Sequence, residues 1–374
     1  MTKYALPRLD FGSDLVAALF EVERLRSDIG SGDIPIDTYV ELHQLFDTVM
    51  SVISARIEGN HTTVYDALDQ IGQSTPTDSL REIRNIATTA RFIDTIDPSE
   101  PLTHSFIREL HSRTVNGLIR EGDPNPGSYR EVDVAITNSL HTPPSWVLVH
   151  AEMTELLDFA NAHRPPHEQM LQVALAHHRF VWVHPFRNGN GRVSRLFTYA
   201  MLRRTIFASG GHSSLNPTAV FGNDREAYIA ALEAADDLSE QGTTTWVSFF
   251  ARGIRDDLAR LVTFERNDYV SNELIRPALA SLQRDGLIST EEEAALNRVA
   301  SLGVVKAGDL QDALPGSPSA RSRAIGSLIT RGLLTQADEG PRFYRLVLSS
   351  GPLAPRVVRR LDALGYLPRM LSED

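Results

Sequence analysis

Residues 184–195, which read His-Pro-Phe-Arg-Asn-Gly-Asn-Gly-Arg-Val-Ser-Arg, constrain the fold of this chain more than any other stretch. They follow a strongly apolar run at 167–183, which is predicted to be a buried helix. Pro185 disfavours helical geometry at His184, and the two glycines permit backbone conformations that other residues rarely adopt. The stretch therefore predicts a tight loop between that helix and the next one.

The same loop carries the groups needed to bind a polyphosphate beside a base. A histidine at the end of a buried helix is held by a fixed support and can accept a proton near neutral pH. Gly189 and Gly191 allow successive backbone N–H groups to converge on an anion at the start of a helix. Arg192 and Arg195 project from one helical turn, and guanidinium groups bind phosphate oxygens in pairs. The glycine spacing differs from dinucleotide-binding and P-loop motifs, which excludes both.

Composition sets the broad class of protein. A chain of 374 residues with 42% hydrophobic and 23% charged residues is typical of a soluble globular protein with two or three domains. The absence of cysteine excludes disulfides, thiolate zinc sites and a cysteine nucleophile, and it favours a cytoplasmic location. No membrane span or export signal is expected, and a net charge of −11 argues against a chain built wholly for nucleic acid.

Apolar residues at three- and four-residue steps predict helices over most of residues 13–265. Residues 128–147 differ, because Val132, Val134 and Ile136 alternate with polar or small residues before a pair of prolines. This alternation predicts a short, exposed β-hairpin or flap.

Beyond about residue 270 the pattern changes to shorter elements. Helices are predicted at 291–302 and 318–334, and residues 334–346 read as strand, turn and strand. Helix–turn–helix followed by a hairpin is the outline of a winged helix, an α+β fold. The predicted domains are an N-terminal helical region at 1–103, a core at 104–268 and a winged-helix-like domain at 269–374.

The loop resembles the Fic motif, His-Pro-Phe-x-Asp/Glu-Gly-Asn-Gly-Arg-x-x-Arg, and matches eight of its nine specified positions. The resemblance extends over much of residues 40–250. It implies a mainly α fold, with a helical Fic core and a β-hairpin flap that holds a target segment in extended form. Fic proteins typically transfer AMP from ATP to a hydroxyl side chain of a protein. The resemblance therefore implies a protein adenylyltransferase that uses ATP and Mg²⁺ and modifies a target protein or itself.

The resemblance also implies roles for the glycine-rich half of the loop. His184 would deprotonate the target hydroxyl. Gly189, Asn190 and Gly191 would cradle the α- and β-phosphates of the nucleotide.

Two arginines and one aromatic residue would complete the nucleotide site. Arg192 would hold the β-phosphate, and Arg195 would hold the γ-phosphate or its neighbour. Tyr228 stands where the family often places an aromatic residue beside adenine, although a core tyrosine is an equally good interpretation.

Asn188 departs from the motif, which has an acidic, metal-binding residue at this position. An amide oxygen can still bind Mg²⁺, but it adds no negative charge, so the affinity should fall. Two alternatives follow. One is a nucleotide-sensing regulator that binds DNA and has a weakly active or inactive Fic core. The other is a core that binds nucleotide without transferring it, or that uses another phosphate-containing donor.

Ser54-Ala55-Arg56-Ile57-Glu58-Gly59 resembles the inhibitory motif Ser/Thr-x-x-x-Glu-Gly/Asn of Fic proteins whose regulatory helix precedes the core. The resemblance implies that Glu58 pairs with Arg195 and occupies the place of the γ-phosphate, while Ser54 braces the pair. The alternative is a solvated glutamate at a helix end.

The C-terminal region contains the residues that favour DNA binding. Arg321 and Arg323 fall near the start of the predicted recognition helix, where base or phosphate contacts are expected. Residues 275–374 hold thirteen Lys and Arg against eleven Asp and Glu, which is a weak positive excess. Winged helices also serve as protein-interaction or dimerisation modules, so the sequence leaves a homodimer open.

Overall fold

The chain is described by a computed structural model that covers residues 3–70, 76–137, 139–205, 220–368 and 371. Helices account for 64% of it and strands for 4%, which confirms the mainly α fold. The first eight helices are α1 (Asp14–Asp28), α2 (Ile36–Ile57), α3 (Val64–Gln70), α4 (Asp78–Asp94), α5 (His104–Val115), α6 (Val149–Asn161), α7 (Pro166–Val183) and α8 (Asn190–Thr205).

The remaining helices include a π-helical segment at Val270–Ile275. They are α9 (Val220–Asn223), α10 (Arg225–Ala235), α11 (Glu240–Phe264), α12 (Asn267–Tyr269), α13 (Arg276–Arg284), α14 (Thr290–Leu302), α15 (Pro318–Thr330) and α16 (Ala354–Ala363). The strands are β1 (Val304–Lys306), β2 (Leu334–Ala337) and β3 (Gly340–Leu346). Within the described residues, no helix combines the length and apolar character needed to cross a bilayer.

The chain divides into two compact units, each assembled from separate stretches of sequence. The first comprises Met1–Ser27, Met50–Thr62 and Ser74–Ala259. The second comprises Asp28–Val49, Thr63–Gln73 and Arg260–Asp374. The loop at 184–195 belongs to the first unit. The domain boundaries at 103 and 268 stay a prediction.

The core of the first unit is formed around α7 and α8, which are buried along most of their length. Their buried residues are polar as well as apolar, with His177 on α7 and Arg192 and Arg195 on α8, so other elements surround both helices and supply partners. Trp246 of α11 is fully buried against α7, and its indole N–H donates to the carbonyl of Ala174 at 2.6 Å. The loop between α7 and α8 is therefore anchored at both ends by packed helices.

Of the two structures predicted for residues 128–147, the β-hairpin is wrong and the flap stays a prediction. Apart from Asn138, whose structure is not described, these residues contain no strand. Pro143 and Pro144 lack the N–H groups that a ladder needs. The carbonyls of Val132 and Pro144 accept hydrogen bonds from the buried side chain of Arg130 instead of from a partner strand.

The second unit contains a three-stranded antiparallel sheet with the order β1-β3-β2. Leu334 faces Leu346 in the β2–β3 pair, and a bulge interrupts the register at Gln336 and Ala337. The strand–turn–strand predicted at 334–346 is confirmed. Helix α14, which precedes β1, begins with a complete capping box between Ser289 and Glu292.

Glu41 of α2 makes several polar contacts within the second unit. The residue is 4% exposed, and its carboxylate accepts from the backbone N–H groups of Leu348 and Ser349 at 2.9 and 3.0 Å. It also pairs with Arg345 of β3. Burial by itself raises the pKa of Glu41, but the hydrogen bonds from Arg345, Ser349 and Leu348 outweigh burial and lower it.

We predict that Glu41→Ala lowers the free energy of unfolding by about 3 kcal/mol at pH 7, because it leaves the N–H groups of Leu348 and Ser349 without their acceptor and leaves Arg345 with Asp37 as its remaining carboxylate. The folded pKa of Glu41 is depressed, so its contribution is complete above the unfolded pKa and is lost as the pH falls through the folded value. Urea unfolding at pH 7 and at pH 3 measures both effects. Glu21→Ala, at an exposed pair on α1, is the control. Equal losses in the two variants would contradict the prediction.

Candidate functional site

His184 terminates α7 in an unusual backbone conformation. Its φ of 50° is left-handed, and its N–H still donates to the carbonyl of Phe180 at 3.1 Å. The following Pro185 disfavours right-handed helical geometry at His184, which accounts for the abrupt end of the helix. A non-glycine residue in this conformation is strained and must be held by its surroundings.

The imidazole of His184 is oriented by one hydrogen bond. Its Nδ1 lies 3.3 Å from the carbonyl oxygen of Val181. Because a carbonyl can only accept, Nδ1 carries the proton and Nε2 keeps its lone pair. Burial lowers the pKa of His184 to about 4, the hydrogen bond to Val181 opposes this shift, and the charge of Arg130 adds to it. The ring is therefore neutral at pH 7 and can act as a base.

The loop after His184 is held from inside by Asn190. Phe186 is fully buried, its N–H donates to Asn190 Oδ1 at 2.9 Å, and its carbonyl accepts from Asn190 Nδ2 at 2.9 Å. Gly189 adopts the left-handed φ of 76° that the turn requires. The structure thus places Asn190 as a brace that shapes the loop.

Gly191 lies in close contact with the carboxylate of Glu58. A Cβ atom at this position would stand 2.2 Å from Glu58 Oε1 and 3.3 Å from Arg195 Nη1. Gly191 is in the first turn of α8, so its close approach brings Glu58 to the N-terminal end of that helix. This end of a helix favours negative charge.

His111 on α5 supports the loop, and sequence reasoning missed it. Its ring stacks on Phe186 with a centroid separation of 3.7 Å. Its Nδ1 accepts from the N–H of Gly127 at 2.9 Å, so Nε2 carries the proton and donates to the carbonyl of Asn188 at 3.2 Å. Burial lowers the pKa of His111 to about 4, which keeps it neutral. Its position on the buried face of α5 was the available signal.

Asn188 uses its side chain within the loop. Its Oδ1 accepts from the N–H of Gly189 at 2.7 Å, and its Nδ2 donates to the carbonyl of Gly122 at 3.3 Å. Its own N–H donates to the carboxylate of Asp123, which is buried. The amide oxygen is neutral and already engaged, so the residues present do not fit a metal ion at this position.

Arg195 binds a segment that precedes it by 137 to 141 residues in the chain. Its Nη2 donates to Glu58 Oε1 at 2.8 Å and to the carbonyl of Ser54 at 2.9 Å, and its Nε donates to Ser54 Oγ at 2.9 Å. Partial removal of the carboxylate from water raises the pKa of Glu58, whose side chain stays 32% exposed, but the charge and hydrogen bond of Arg195 outweigh this effect, so the pKa is lowered and the carboxylate is ionised. The structure therefore brings Ser54, Glu58 and Arg195 together.

Arg192 is held by a different carboxylate. The residue is 1% exposed, its Nη1 donates to Glu82 Oε1 at 2.8 Å, and its Nη2 donates to the carbonyl of Glu121 at 2.9 Å. The other oxygen of Glu82 accepts from Asn60 Nδ2 at 2.8 Å. Sequence reasoning missed Glu82 and Asn60. A glutamate on the core-facing side of α4 was a signal that could have found Glu82.

A cavity of about 260 Å³ opens beside the base. Its walls include Glu58, His184, Gly191, Arg195, Arg225 and Tyr228. Tyr228 is also part of the core, because its hydroxyl lies 3.0 Å from Nε2 of the buried His177. Arg225, at the start of α10, donates from Nε to the carbonyl of Ile57 at 2.9 Å. The cavity thus joins a neutral base, a helix N-terminus and two guanidinium groups.

Comparison with known proteins gives the family. The model of the Fic/DOC family matches residues 101–202, which contain α5 to α7 and the loop. A Fido domain-containing protein of Dictyostelium discoideum is 31% identical over 121 residues, which make up 32% of this chain and 78% of that protein. The chain belongs to the Fic/DOC family.

Other Fic proteins are more distant or differ in length. Protein adenylyltransferase Fic of Nematostella vectensis is 27% identical over 194 residues, covering 49% of this chain and 42% of that protein, so the chain spans less than half of this relative. The crystal structure of a Fic family protein from Desulfovibrio desulfuricans G20 matches with a TM-score of 0.55 and 19% identity. It covers 91% of this chain and 98% of that one, which shows a shared fold.

We predict that His184 titrates with a midpoint near pH 4 in the folded chain, because burial disfavours its charged form. At pH 7, long-range ¹H–¹⁵N NMR spectra should show the proton on Nδ1 and an unprotonated Nε2. The His184→Ala variant assigns the signal. A midpoint near 6.5, or a proton on Nε2 at pH 7, would contradict this geometry.

Proposed function

We propose that the chain is a protein adenylyltransferase that transfers AMP from ATP to a hydroxyl side chain of a target protein or of itself. The observation that carries the proposal is the cavity in which unprotonated Nε2 of His184 meets the N-terminal end of α8 and Arg195. Relatives from Nematostella vectensis and Caenorhabditis briggsae, each 27% identical over part of the chain, are named protein adenylyltransferases and support the same reaction.

In the proposed step the target hydroxyl oxygen attacks the α-phosphorus of ATP. A new P–O bond forms, the bond from the α-phosphorus to the bridging oxygen breaks, and pyrophosphate leaves. The hydroxyl proton passes to Nε2 of His184, which is neutral and within the cavity. Backbone N–H groups at Asn190 and Gly191 would hold the α- and β-phosphates at the helix N-terminus, and that of Gly189 would join them by leaving Asn188 Oδ1.

The arginines would complete the phosphate site. Arg195 would bind the γ-phosphate after Glu58 has left. Arg192 would reach the β-phosphate through its Nε, which is buried and has no hydrogen-bond partner among the described residues. Tyr228 would offer the face of its ring to adenine, since its hydroxyl is engaged by His177.

Glu58 is the proposed brake on this reaction. Its carboxylate accepts a hydrogen bond from the guanidinium of Arg195 at 2.8 Å, and Ser54 accepts two more from the same group. A γ-phosphate carries the same sign of charge and needs the same donors. ATP would therefore have to displace Glu58 before it could bind productively.

We predict that Glu58→Gly raises automodification, because it frees Arg195 for the nucleotide. Intact-mass spectrometry after incubation with ATP should show a gain of one or more AMP groups, well above the level in the unaltered chain. His184→Ala in the Glu58→Gly background should abolish the gain. Glu21→Gly, at an exposed glutamate of α1, is the matched control and should behave as the unaltered chain.

The outcomes separate the two parts of the proposal. Equal, measurable automodification in the Glu58→Gly variant and the unaltered chain would remove the brake. Absence of AMP in every variant would favour a core that binds nucleotide without transferring it.

No step of this proposal runs through a metal ion, because the side chain of Asn188 is engaged within the loop. We predict that Asn188→Asp in the Glu58→Gly background makes AMP transfer more dependent on Mg²⁺, since a carboxylate adds the charge that hard cations prefer. The ratio of the rates with Mg²⁺ and with EDTA measures this effect. Asn188→Ala, which removes the amide without adding charge, is the control. An equal ratio in Asn188→Asp and Asn188→Ala would rule out a metal at this position.

For the C-terminal region we infer a winged helix, supported by the order α14, β1, α15, β2, β3 and by the antiparallel β2–β3 hairpin. DNA binding is not part of the proposal. Arg323 on α15 is exposed, but Asp338 and Glu339 lie in the turn of the hairpin and would repel phosphates. A cytoplasmic location and a homodimer stay predictions.

A further inference from the structure

We infer that Arg130 is a positioning residue that fixes the flap segment, defined as residues 131–137 and 139–145, to the base His184. Arg130 lies outside the loop motif at 184–195. Its activity test rests on the proposed transfer reaction, whereas its structural test does not.

The side chain of Arg130 is buried, and its described hydrogen bonds go to backbone carbonyls. Nε donates to His184 at 2.8 Å, Nη1 donates to Val132 at 3.1 Å, and Nη2 donates to Val183 at 3.3 Å and to Pro144. In addition, the backbone N–H of Arg130 donates to the carbonyl of Pro185 at 2.9 Å. One residue therefore joins the two ends of the flap segment and the end of α7.

These hydrogen bonds from Arg130 take the place of the strand-to-strand hydrogen bonds that a β-hairpin would have made. Val132 lies near the start of the flap segment and Pro144 near its end, and no strand pairs them. The guanidinium of Arg130 is fully buried, so its N–H groups need acceptors, and the carbonyls of Val132 and Pro144 supply two of them and are held to it. Asp133, the acidic group nearest to the guanidinium, is 3.7 Å away and largely exposed, so the contact is not mainly an ion pair.

The same group acts on the base. The last carbonyls of a helix lack donors within the helix, and a cation at that end is favoured by the helix dipole. Arg130 satisfies Val183 and His184 at this point, where His184 has its strained left-handed conformation. Fixing this carbonyl fixes the direction in which the imidazole leaves the backbone.

The flap segment and the base also share the cavity. Thr137, Ser139 and His141 line it together with His184. A target segment in the cavity would touch both, so its distance from Nε2 depends on how the flap is held relative to α7. Arg130 sets this relation.

Lysine cannot replace Arg130 in this role. An ammonium group has its donors on one atom, whereas the guanidinium spreads five N–H groups over a planar fork. Four carbonyls from three segments require the fork. Arg130→Lys therefore keeps the positive charge but cannot keep the hydrogen bonds to all four carbonyls.

The structural test is hydrogen–deuterium exchange of the full-length chain. Arg130→Met and Arg130→Lys should both speed amide exchange in two separate regions, the flap segment and residues 184–189. Arg203→Met is the matched control, because Arg203 also donates to backbone carbonyls, of Ile93, Asp94 and Ile96, in the same unit. The control should leave both regions unchanged. Faster exchange in only one of the two regions, or an equal change in the control, would overturn the inference.

The activity test uses the Glu58→Gly background. Arg130→Met should lower AMP transfer by roughly 100-fold, as expected for a misplaced reacting group, while the affinity for ATP stays the same. Ethylguanidinium added to an Arg130→Gly variant should restore part of the transfer. Unchanged transfer, or ATP affinity lost in parallel with transfer, would overturn the inference. If Glu58→Gly with Arg130 intact transfers no AMP, the proposed function fails and the exchange test alone decides the role of Arg130.

Discussion

Guanidinium groups that leave water must find partners, and three of them organise this site. Arg130, Arg192 and Arg195 are all nearly fully buried, and each binds a different set of acceptors. Arg130 donates hydrogen bonds to backbone carbonyls of the flap segment and of α7. Arg192 donates to Glu82 and Glu121, and Arg195 donates to Ser54 and Glu58. Because an unpaired buried charge costs several kcal/mol, each arginine draws a distant segment to the loop. The loop is thereby surrounded by α2, α4 and the flap segment.

The two arginines that would bind phosphate, Arg192 and Arg195, also bind protein groups. Arg195, which would bind the γ-phosphate, already holds the carboxylate of Glu58, so its guanidinium has an anionic partner without nucleotide. Exchange of a carboxylate for a phosphate keeps the number of charge-assisted hydrogen bonds roughly constant. The balance between the two states then depends on small differences, which suits a site that is regulated. The neutral His184, by contrast, needs no such exchange to act as a base.

Several features of the site could be read from the sequence because they depend on neighbouring residues. The turn at His184-Pro185, the glycine at 189 and the helix that starts near 190 follow from local backbone preferences. The hairpin at 334–346 followed from local alternation and was correct. The hairpin at 128–147 showed similar alternation and was wrong, since Arg130 took the carbonyls of that segment. Alternation predicts extended backbone, and only a partner strand turns it into a ladder.

The sequence by itself determined the helical class, the shape of the loop and the family to which its motif belongs. These depend on residue order within short stretches, where steric preferences and spacing act directly. Only the tertiary structure decided which acceptor each arginine binds, that Asn188 uses its amide within the loop, and that His111, Glu82 and Arg130 support the site. Those choices join residues as far apart as Ser54 and Arg195. They follow from burial, because each polar group removed from water must be matched by whatever partner the fold brings within reach.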